Sequence, residues 1–167
     1  MASKPKNAYK RADHGFPPLV YPDSEILILG SFPSIKSREM AFFYGHPQNR
    51  FWPLLARLMD EPVPMTIDEK TSLCKRHHIA LYDSIESCAI IGSSDATIKE
   101  VVPADLTSIV KGTNIRLVVC NGKASLRFFE EFQPDFPIRH ICLPSTSPAN
   151  AAFSLARLEE EWRIIKD

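Results

Sequence analysis

The sequence predicts an α/β fold, a three-layer α/β/α sandwich around a central, mostly parallel four-stranded sheet. Two observations lead to this prediction. Short apolar runs rich in Ile, Leu and Val alternate along the chain with segments of helical periodicity. The apolar runs also end at glycine, aspartate or asparagine, as buried strands do when they enter a loop. Parallel strands need crossover connections, so this alternation is typical of a parallel sheet with helices on both faces.

Four apolar segments are the predicted strands: residues 25–30, 79–82, 115–120 and 138–143. The first is short, apolar and ends in Gly30, which is the pattern of a strand buried on both faces. Residues 88–94, between the second and third of these strands, are expected to be irregular.

Five segments with helical periodicity connect or follow these strands. Thr66 and Glu69 form a capping-box pattern that predicts the start of one helix. Asp105 and Gly112 mark the two ends of another. The predicted helices are residues 51–59, 66–75 and 105–112, a segment that carries Leu126, Phe129 and Phe132, and a final segment that carries Leu155, Leu158, Trp162 and Ile165.

Composition indicates one ordinary globular domain. The chain has 167 residues, of which 44% are hydrophobic and 24% charged, with a formal net charge of zero. We expect a basic N-terminal arm over residues 1–23 and a single domain over residues 24–167. No apolar run approaches the roughly 18 residues of a membrane span, and the first residues lack a hydrophobic signal core. We therefore expect a cytoplasmic protein without a membrane partner, and nothing requires more than a monomer.

The cysteines do not indicate a metal site. The chain has four, at positions 74, 88, 120 and 142, and none forms a C-x-x-C pair. Cys120 and Cys142 lie inside strand-like runs, where cysteine acts as a small buried hydrophobe. We predict no metal, no cofactor and no need for a disulfide.

The loops after the predicted strands should carry the chemistry, because ligands bind at the carboxyl ends of parallel strands. These loops are residues 30–33, 83–84, 121–123 and 143–148. None contains a dinucleotide fingerprint, a P-loop or a G-x-S-x-G elbow, and the chain has no H-E-x-x-H. A separate run at 44–52, Tyr-Gly-His-Pro-Gln-Asn-Arg-Phe-Trp, is typical of a pocket for a flat aromatic ligand.

Three segments taken in order resemble the uracil-DNA glycosylase superfamily. They are Gly-Ser-Phe-Pro at 30–33, the run at 44–52, and Leu-Pro-Ser-Thr-Ser-Pro-Ala-Asn at 143–150. The mismatch-specific uracil/thymine branch and the hypoxanthine-DNA glycosylase branch are the most similar, and the resemblance extends over about residues 24–165. It implies an enzyme that flips a base out of the duplex and cleaves its bond to the sugar through an oxocarbenium-like transition state.

The resemblance assigns a catalytic role to Asn49 and to the backbone amides around Ser31 and Phe32, which would stabilise the departing base. From its position alone, Asn49 is better explained as a helix cap; the resemblance favours a role in the pocket instead, where it could orient a water or grip a base edge. The implied base-binding residues are Gly30, Phe43, Tyr44, His46 and Asp83, with Tyr44 in the stacking position. Core packing is the alternative for Phe43 and Tyr44, bracing of the loop for His46, and capping or a turn for Asp83.

One departure from the superfamily pattern bears on the substrate. Uracil-removing members usually carry a polar, water-activating residue two positions after the glycine of the first loop, and here that position is Phe32. The last loop likewise begins with Leu143 rather than histidine. Both departures favour deaminated purines, hypoxanthine above all, over uracil.

Contacts to DNA are expected from the last loop and from nearby cations. Small hydroxyl residues and exposed amides suit phosphate contacts, although a turn leading into a helix explains the same composition. The expected DNA-binding residues are Ser145, Thr146, Ser147, Pro148, Lys36, Arg50 and Lys123. Each cation taken alone is equally well explained as ordinary surface.

The prediction for function is a monofunctional DNA glycosylase of base-excision repair. It would act on double-stranded DNA that contains deaminated or mismatched bases, hypoxanthine first, with uracil and xanthine as further candidates. Two alternatives stay open: a nucleoside or nucleotide N-glycosidic hydrolase with the same aromatic pocket, and a catalytically inactive module that binds DNA lesions.

Overall fold

The main sheet contains four parallel strands. The computed structural model describes residues 8–166. The strands are β2 (Ile26–Gly30), β3 (Ile79–Asp83), β6 (Leu117–Asn121) and β7 (His140–Leu143). Their order across the sheet is β3–β2–β6–β7. The predicted α/β class with a central four-stranded parallel sheet is therefore confirmed. β2, β3 and β6 are buried along their whole length, as expected for strands that are covered on both faces.

The register of this sheet brings the strand ends to one level. Gly30 pairs with Asp83 across β2 and β3, and Asn121 pairs with Leu143 across β6 and β7. β2 and β6 also pair, with Leu29 opposite Cys120. Because all four strands are parallel, the loops that follow them meet at a single edge of the sheet.

Among residues 8–166, six α-helices pack around the sheets. They are α1 (Ile35–Met40), α2 (Phe51–Leu58), α3 (Ile67–Arg76), α4 (Leu106–Val110), α5 (Lys123–Phe132) and α6 (Leu155–Trp162). The predicted capping box is present at the start of α3. α5 contacts β2 and β6, α3 contacts β3, and α2 packs on α6. Within residues 8–166, no helix is long and apolar enough to cross a membrane.

A second, antiparallel sheet of three strands was not predicted. Its order is β1–β4–β5, with β1 at Lys10–Asp13, β4 at Ile85–Ile90 and β5 at Lys99–Pro103. The expectation of irregular structure from residue 88 onward is therefore wrong for the end of β4. The register of β4 with β5 shifts twice, so alternation of polar and apolar residues is lost and no strand pattern shows in the sequence.

The N-terminal segment packs on the domain from β1 onward. Lys10–Asp13 pairs with β4, and the next residues insert two rings into the interior, with His14 1% and Phe16 8% exposed. Among the described residues, the expected boundary between an arm and the domain at residue 23 is therefore absent, because the segment before it already packs on the domain. Lys4 and Lys6, which belong to the expected basic arm, lie outside the described residues.

Candidate active site

A cavity of about 300 Å³ opens at the carboxyl edge of the parallel sheet. Its position and size are those of a site for a small ligand. Twelve of the residues predicted for the site line it: Gly30, Ser31, Phe32, Phe43, Tyr44, His46, Asn49, Asp83, Ser145, Thr146, Ser147 and Pro148. Further lining residues, absent from the predicted set, are Pro33, Ser34, Ser37, Ser93, Asp95, Asn121 and Ala149.

The loop after β2 offers free amides to the cavity. Within residues 8–166, the backbone N–H groups of Ser31 and Phe32 have no hydrogen-bond acceptor, although both residues are buried. Gly30 is required just before them, because a Cβ atom at this position would overlap Oδ1 of Asp83. The two amides that the resemblance assigned to the departing base are therefore without an acceptor in the described chain, and they follow a glycine that no larger residue could replace without a shift.

Asn49 lies directly before Arg50, the N-cap residue of α2, and also lines the cavity. Its Oδ1 accepts the amide hydrogen of Phe51 at 2.9 Å and the hydroxyl hydrogen of Thr146 at 2.9 Å. The amide of Phe51 can only donate, so this bond fixes which end of the Asn49 side chain is the oxygen. Nδ2 of Asn49 has no acceptor among the described residues. The side chain therefore offers the ligand hydrogen-bond donors, while its oxygen is already occupied.

Asn121 holds this arrangement together and was not predicted. Its Nδ2 donates to Oγ1 of Thr146 at 3.1 Å and to the hydroxyl of Tyr44 at 3.2 Å. Its Oδ1 accepts the amide hydrogen of Thr146 at 3.0 Å. Both ends of the buried amide are in use, so its role is to connect β6, the loop at Tyr44 and the last loop. The available sequence signal was its place at the end of a parallel strand, directly before Gly122.

Tyr44 presents a neutral hydroxyl at the cavity. Its ring stacks on Phe51, with 4.1 Å between centroids and 9° between planes, so one ring face is already covered. Burial raises the pKa of the phenol far above its usual value of 10.0, the nearby Asp83 carboxylate raises it further, and the bond from Asn121 opposes this shift. The oxygen accepts from Asn121, and its own hydrogen has no acceptor in the described chain. Tyr44 adopts a φ of 53°, which places it in the left-handed region.

Phe32 and Phe43 belong both to the cavity wall and to the core. Phe43 is 3% exposed and packs edge-on against Phe16 at 4.9 Å, so the core-packing alternative applies to it as well as the pocket role. Phe32 is 7% exposed, and the guanidinium of Arg38 lies 5.4 Å from its ring centroid. Neither ring position is polar, which leaves the amides of this loop as its hydrogen-bonding groups.

The carboxyl group of Asp83 is hydrogen-bonded to His14, a residue of the expected N-terminal arm. Nε2 of His14 lies 2.7 Å from Oδ2 of Asp83, and Nδ1 of His14 lies 3.0 Å from the carbonyl oxygen of Phe16. Rings of Phe16 and Tyr82 lie against the imidazole at 4.3 and 4.2 Å between centroids. Nothing in the sequence near His14 indicates this pairing, because the partner is 69 residues away.

A second carboxylate borders the cavity. Asp95 accepts a hydrogen bond from Oγ of Ser31 at 2.8 Å. Burial raises the pKa of Asp95, the charge of Asp83 adds to the rise, and the bond from Ser31 and the charge of Arg127 oppose it. The cavity thus combines neutral donors on the loops after β2 and before α2 with two carboxyl groups, Asp83 and Asp95, that lie next to Gly30 and Ser31.

Arg50 has a different role from the predicted contact with DNA. Its guanidinium donates to the carbonyl oxygens of Ser147 at 2.9 Å and Asn150 at 3.0 Å, and also to those of Thr146 and Phe153. These bonds tie the start of α2 to the last loop. The geometry makes Arg50 a brace of this loop.

The other predicted DNA-binding residues differ in how far their side chains are exposed to solvent. The side chain of Thr146 is completely buried in the network around Asn49, whereas Ser145, Ser147 and Pro148 are half-buried at the cavity rim. Lys36 and Lys123 are exposed and lie outside the cavity lining, and Lys36 pairs with Glu39 at 3.8 Å.

His46 braces its own loop. Its Nδ1 accepts the amide hydrogen of Gln48 at 3.1 Å, so the neutral ring carries its hydrogen on Nε2. Nε2 has no partner within residues 8–166, and His46 lines the cavity. Both roles weighed for this residue are therefore compatible with its geometry.

The sequence matches the model of a known family over most of its length. The sequence model of the Uracil DNA glycosylase superfamily matches residues 17–167. The chain belongs to this superfamily. The resemblance drawn from the three segments at 30–33, 44–52 and 143–150 is thereby confirmed, and so is the fold class that it implied.

Named relatives and a solved structure agree with this membership of the uracil DNA glycosylase superfamily. A protein of Methanosarcina acetivorans named Hypoxanthine DNA glycosylase is 32% identical over 153 residues, which cover 90% of this chain and 96% of that protein. One of Methanosarcina barkeri with the same name is 37% identical over 114 residues, covering 66% and 72% of the two chains. A solution NMR structure from M. acetivorans, named as a candidate uracil DNA glycosylase, superposes with a TM-score of 0.76 at 30% identity and covers 92% of this chain and 98% of its own.

Proposed function

We propose that this chain is a monofunctional DNA glycosylase that flips hypoxanthine out of double-stranded DNA and hydrolyses its bond to deoxyribose. Membership of the uracil DNA glycosylase superfamily supports the reaction. The name that two relatives share, Hypoxanthine DNA glycosylase, supports the substrate. The absence of a polar side chain at Phe32 supports the preference for a deaminated purine over uracil.

One observation carries the proposal: unpaired hydrogen-bond donors face the cavity from separate elements. They are the amides of Ser31 and Phe32, Nδ2 of Asn49 and the hydroxyl of Tyr44, none of which has an acceptor in the described part of the chain. A departing base gains negative charge on its ring nitrogen and its carbonyl oxygen. Fixed donors that are aimed at such developing charge lower the barrier, typically by roughly 3–4 kcal/mol for each well-placed donor.

The reaction needs no covalent intermediate with the protein. The bond between C1′ and N9 of hypoxanthine breaks, and its electron pair stays on the base, where the donors stabilise it. The sugar becomes an oxocarbenium-like cation that a water molecule captures at C1′. The water loses a proton, the base gains one, and the products are free hypoxanthine and an abasic site.

Asn49 acts in this scheme as a donor to the base. Its Oδ1 already accepts from Phe51 and Thr146, so activation of water through this oxygen would require breaking a bond that holds the start of α2. Its Nδ2 can donate to the carbonyl oxygen that distinguishes hypoxanthine from adenine. The bond to the start of α2 and the catalytic role thus use opposite ends of one side chain.

Other deaminated or mismatched bases are further proposed substrates, and we propose that the protein works as a cytoplasmic monomer. The half-buried rim of Ser145, Ser147 and Pro148 would contact the strand around the flipped nucleotide. Lys36 and Lys123 would meet phosphates at greater distance.

A fluorescent duplex with a single deoxyinosine tests the proposal. Incubation should release free hypoxanthine and leave an abasic site that alkali cleaves. Asn49→Ala should lower the single-turnover rate by about 100-fold or more, while Gln48→Ala, at the exposed neighbouring position, should leave it unchanged. Base release from mononucleosides alone would favour the nucleoside hydrolase, and tight binding of the duplex without base release would favour the inactive module.

A further inference from the structure

His14 and Asp83 form a buried pair directly under the cavity. His14 is 1% exposed and Asp83 5% exposed, and their side chains meet at 2.7 Å between Nε2 and Oδ2. His14 comes from the segment after β1, whereas Asp83 is the last residue of β3. A polar pair with so little exposure is costly unless its members satisfy each other.

The hydrogen-bond partners fix the number of protons in this pair. A carbonyl oxygen can only accept, so Nδ1 of His14 carries a hydrogen that it donates to Phe16. One more proton must lie between Nε2 and Oδ2, since two bare acceptors at this distance would repel each other. It can reside on the imidazole, giving an ion pair, or on Oδ2, giving two neutral groups.

In both forms Oδ1 of Asp83 remains a hydrogen-bond acceptor. This atom has no donor partner among residues 8–166, Asp83 lines the cavity, and Oδ1 lies so close to Gly30 that no Cβ fits between them. The unpaired oxygen is thus held in place by the glycine on one side and by the bond to His14 on the other.

We propose that His14 is a positioning residue that keeps Oδ1 of Asp83 an acceptor facing the flipped base, so that the pair selects bases that carry a ring N–H. Deamination converts the acceptor N1 of adenine into the donor N1–H of hypoxanthine, and likewise gives uracil the N3–H that cytosine lacks. An acceptor-only oxygen bonds to the deaminated bases and repels the ring lone pairs of adenine and cytosine. Guanine also carries a ring N–H, so its exclusion depends on other contacts.

Other ionisable groups around the pair do not supply this acceptor. The hydroxyl of Tyr44 is neutral and faces the cavity as a donor, and the hydroxyl of Tyr82 is occupied by its bond to Glu86. The carboxyl of Asp95 already accepts from Ser31. The remaining neighbours of His14 are the apolar rings of Phe16, Phe32 and Phe43. His14 is therefore the residue whose bond to Oδ2 holds the Asp83 carboxyl in place.

The inference rests on the proposed function for its ligand, and a binding assay tests it separately from cleavage. Two duplexes carry either deoxyinosine, which has a ring N–H at N1, or deoxyadenosine, whose N1 carries a lone pair. A 2′-fluoro sugar blocks cleavage in both. The wild-type protein should bind the deoxyadenosine duplex about 10-fold more weakly or worse.

His14→Phe should lower this ratio towards one, because the Asp83 carboxyl loses the bond to Nε2 that holds its Oδ1 at the cavity. Phe16→Leu changes a ring that packs on His14 but keeps both members of the pair and the carbonyl oxygen that accepts from Nδ1, so it should keep the ratio. A full ratio in His14→Phe, or equal binding by the wild-type protein, would overturn the inference. Discrimination between the duplexes without any hypoxanthine release would instead reject the proposed function and leave the inference standing.

Should His14→Phe fail to fold, nitrogen-15 NMR of the wild-type histidine rings provides the second measurement. The His14 signal is assigned by comparison with Phe16→Leu, in which the ring next to it changes. Nδ1 should carry the hydrogen that it donates to Phe16, and Nε2 should show a hydrogen bond to a carboxyl group. A ring with a bare Nδ1, or an Nε2 that exchanges freely with water, would overturn the inference.

Discussion

Thr146 donates its hydroxyl hydrogen to Oδ1 of Asn49 at 2.9 Å, across 97 residues of sequence. Thr146 is completely buried, and its own Oγ1 accepts from Asn121, so the direction of this bond is determined. Together with the amide of Phe51 it occupies the oxygen of Asn49. The amide hydrogens of Asn49 are consequently the part of the side chain that is free for the base.

Asn49→Asp separates the two ends of this side chain. The carboxylate keeps the acceptor for Phe51 and Thr146 and adds a charge that the start of a helix favours, so the free energy of unfolding should change by less than about 1 kcal/mol. The donor is lost, and the single-turnover rate on deoxyinosine should fall by about 100-fold or more. Urea unfolding and base release measure the two effects. A variant as active as the wild-type protein would show that the oxygen, and not the amide nitrogen, is the catalytic atom.

Gly30→Ala should affect the site more than the fold. The added Cβ would overlap Oδ1 of Asp83, and displacing this carboxyl or the β2 loop should cost about 1–3 kcal/mol of stability. Base release should fall with it, because the free amides of Ser31 and Phe32 would move. Gly92→Ala is the control: its methyl group meets no atom within 4 Å, and its φ of 59° costs about 1–2 kcal/mol. Only Gly30→Ala should lose activity at temperatures where both variants are folded.

Substitution of Arg50 should lower the stability of the protein, whereas substitution of either exposed lysine should change only the salt dependence of DNA binding. Arg50→Ala leaves carbonyl oxygens of the last loop without donors and should lower the free energy of unfolding by about 2 kcal/mol or more. Lys36→Ala and Lys123→Ala should leave stability within about 0.5 kcal/mol. If these lysines meet phosphates, each change should reduce the slope of log K against log salt by about 1. An unchanged slope would assign that lysine to ordinary surface.

Asp95→Asn should stabilise the protein at neutral pH. The folded state holds a proton on Asp95 to higher pH than the unfolded chain, because burial and the charge of Asp83 raise the pKa of this carboxyl above 3.8. Between the two pKa values the folded state binds more protons, so stability falls as pH rises through this window and stays lowered above it. The amide oxygen can still accept from Ser31. The Tm of the variant should be higher than that of the wild-type protein at pH 7 and equal to it below about pH 3.

The parallel sheet was predictable because each of its strands carries its own pattern. The run that became Ile26–Gly30 is apolar throughout, since both its faces are buried, and its glycine marks the loop. Ile85–Ile90 could not be predicted in the same way. Its partners are Lys10–Asp13 and Lys99–Pro103, and its Ser and Cys residues acquire their strand conformation only from that distant pairing.

The site was predictable where residues follow a strand or open a helix. Asn49, Ser31 and Asp83 stand at such places and line the cavity. His14 does not, because its environment is made by rings from three other parts of the chain. The structural role of Arg50 could not be predicted for a related reason: the carbonyl oxygens that its guanidinium binds are about 100 residues away in the sequence.

The bond between Asn49 and Thr146 has a consequence for the order in which activity arises during synthesis. Asn49, the proposed base-binding residue, is made early, but the threonine that donates to its oxygen follows 97 residues later. A nascent chain that has folded β2, α2 and β3 therefore still lacks one of the two hydrogen bonds to Oδ1 of Asn49. We expect the proposed glycosylase activity to arise only when the last loop is in place, so incomplete chains should not cleave DNA.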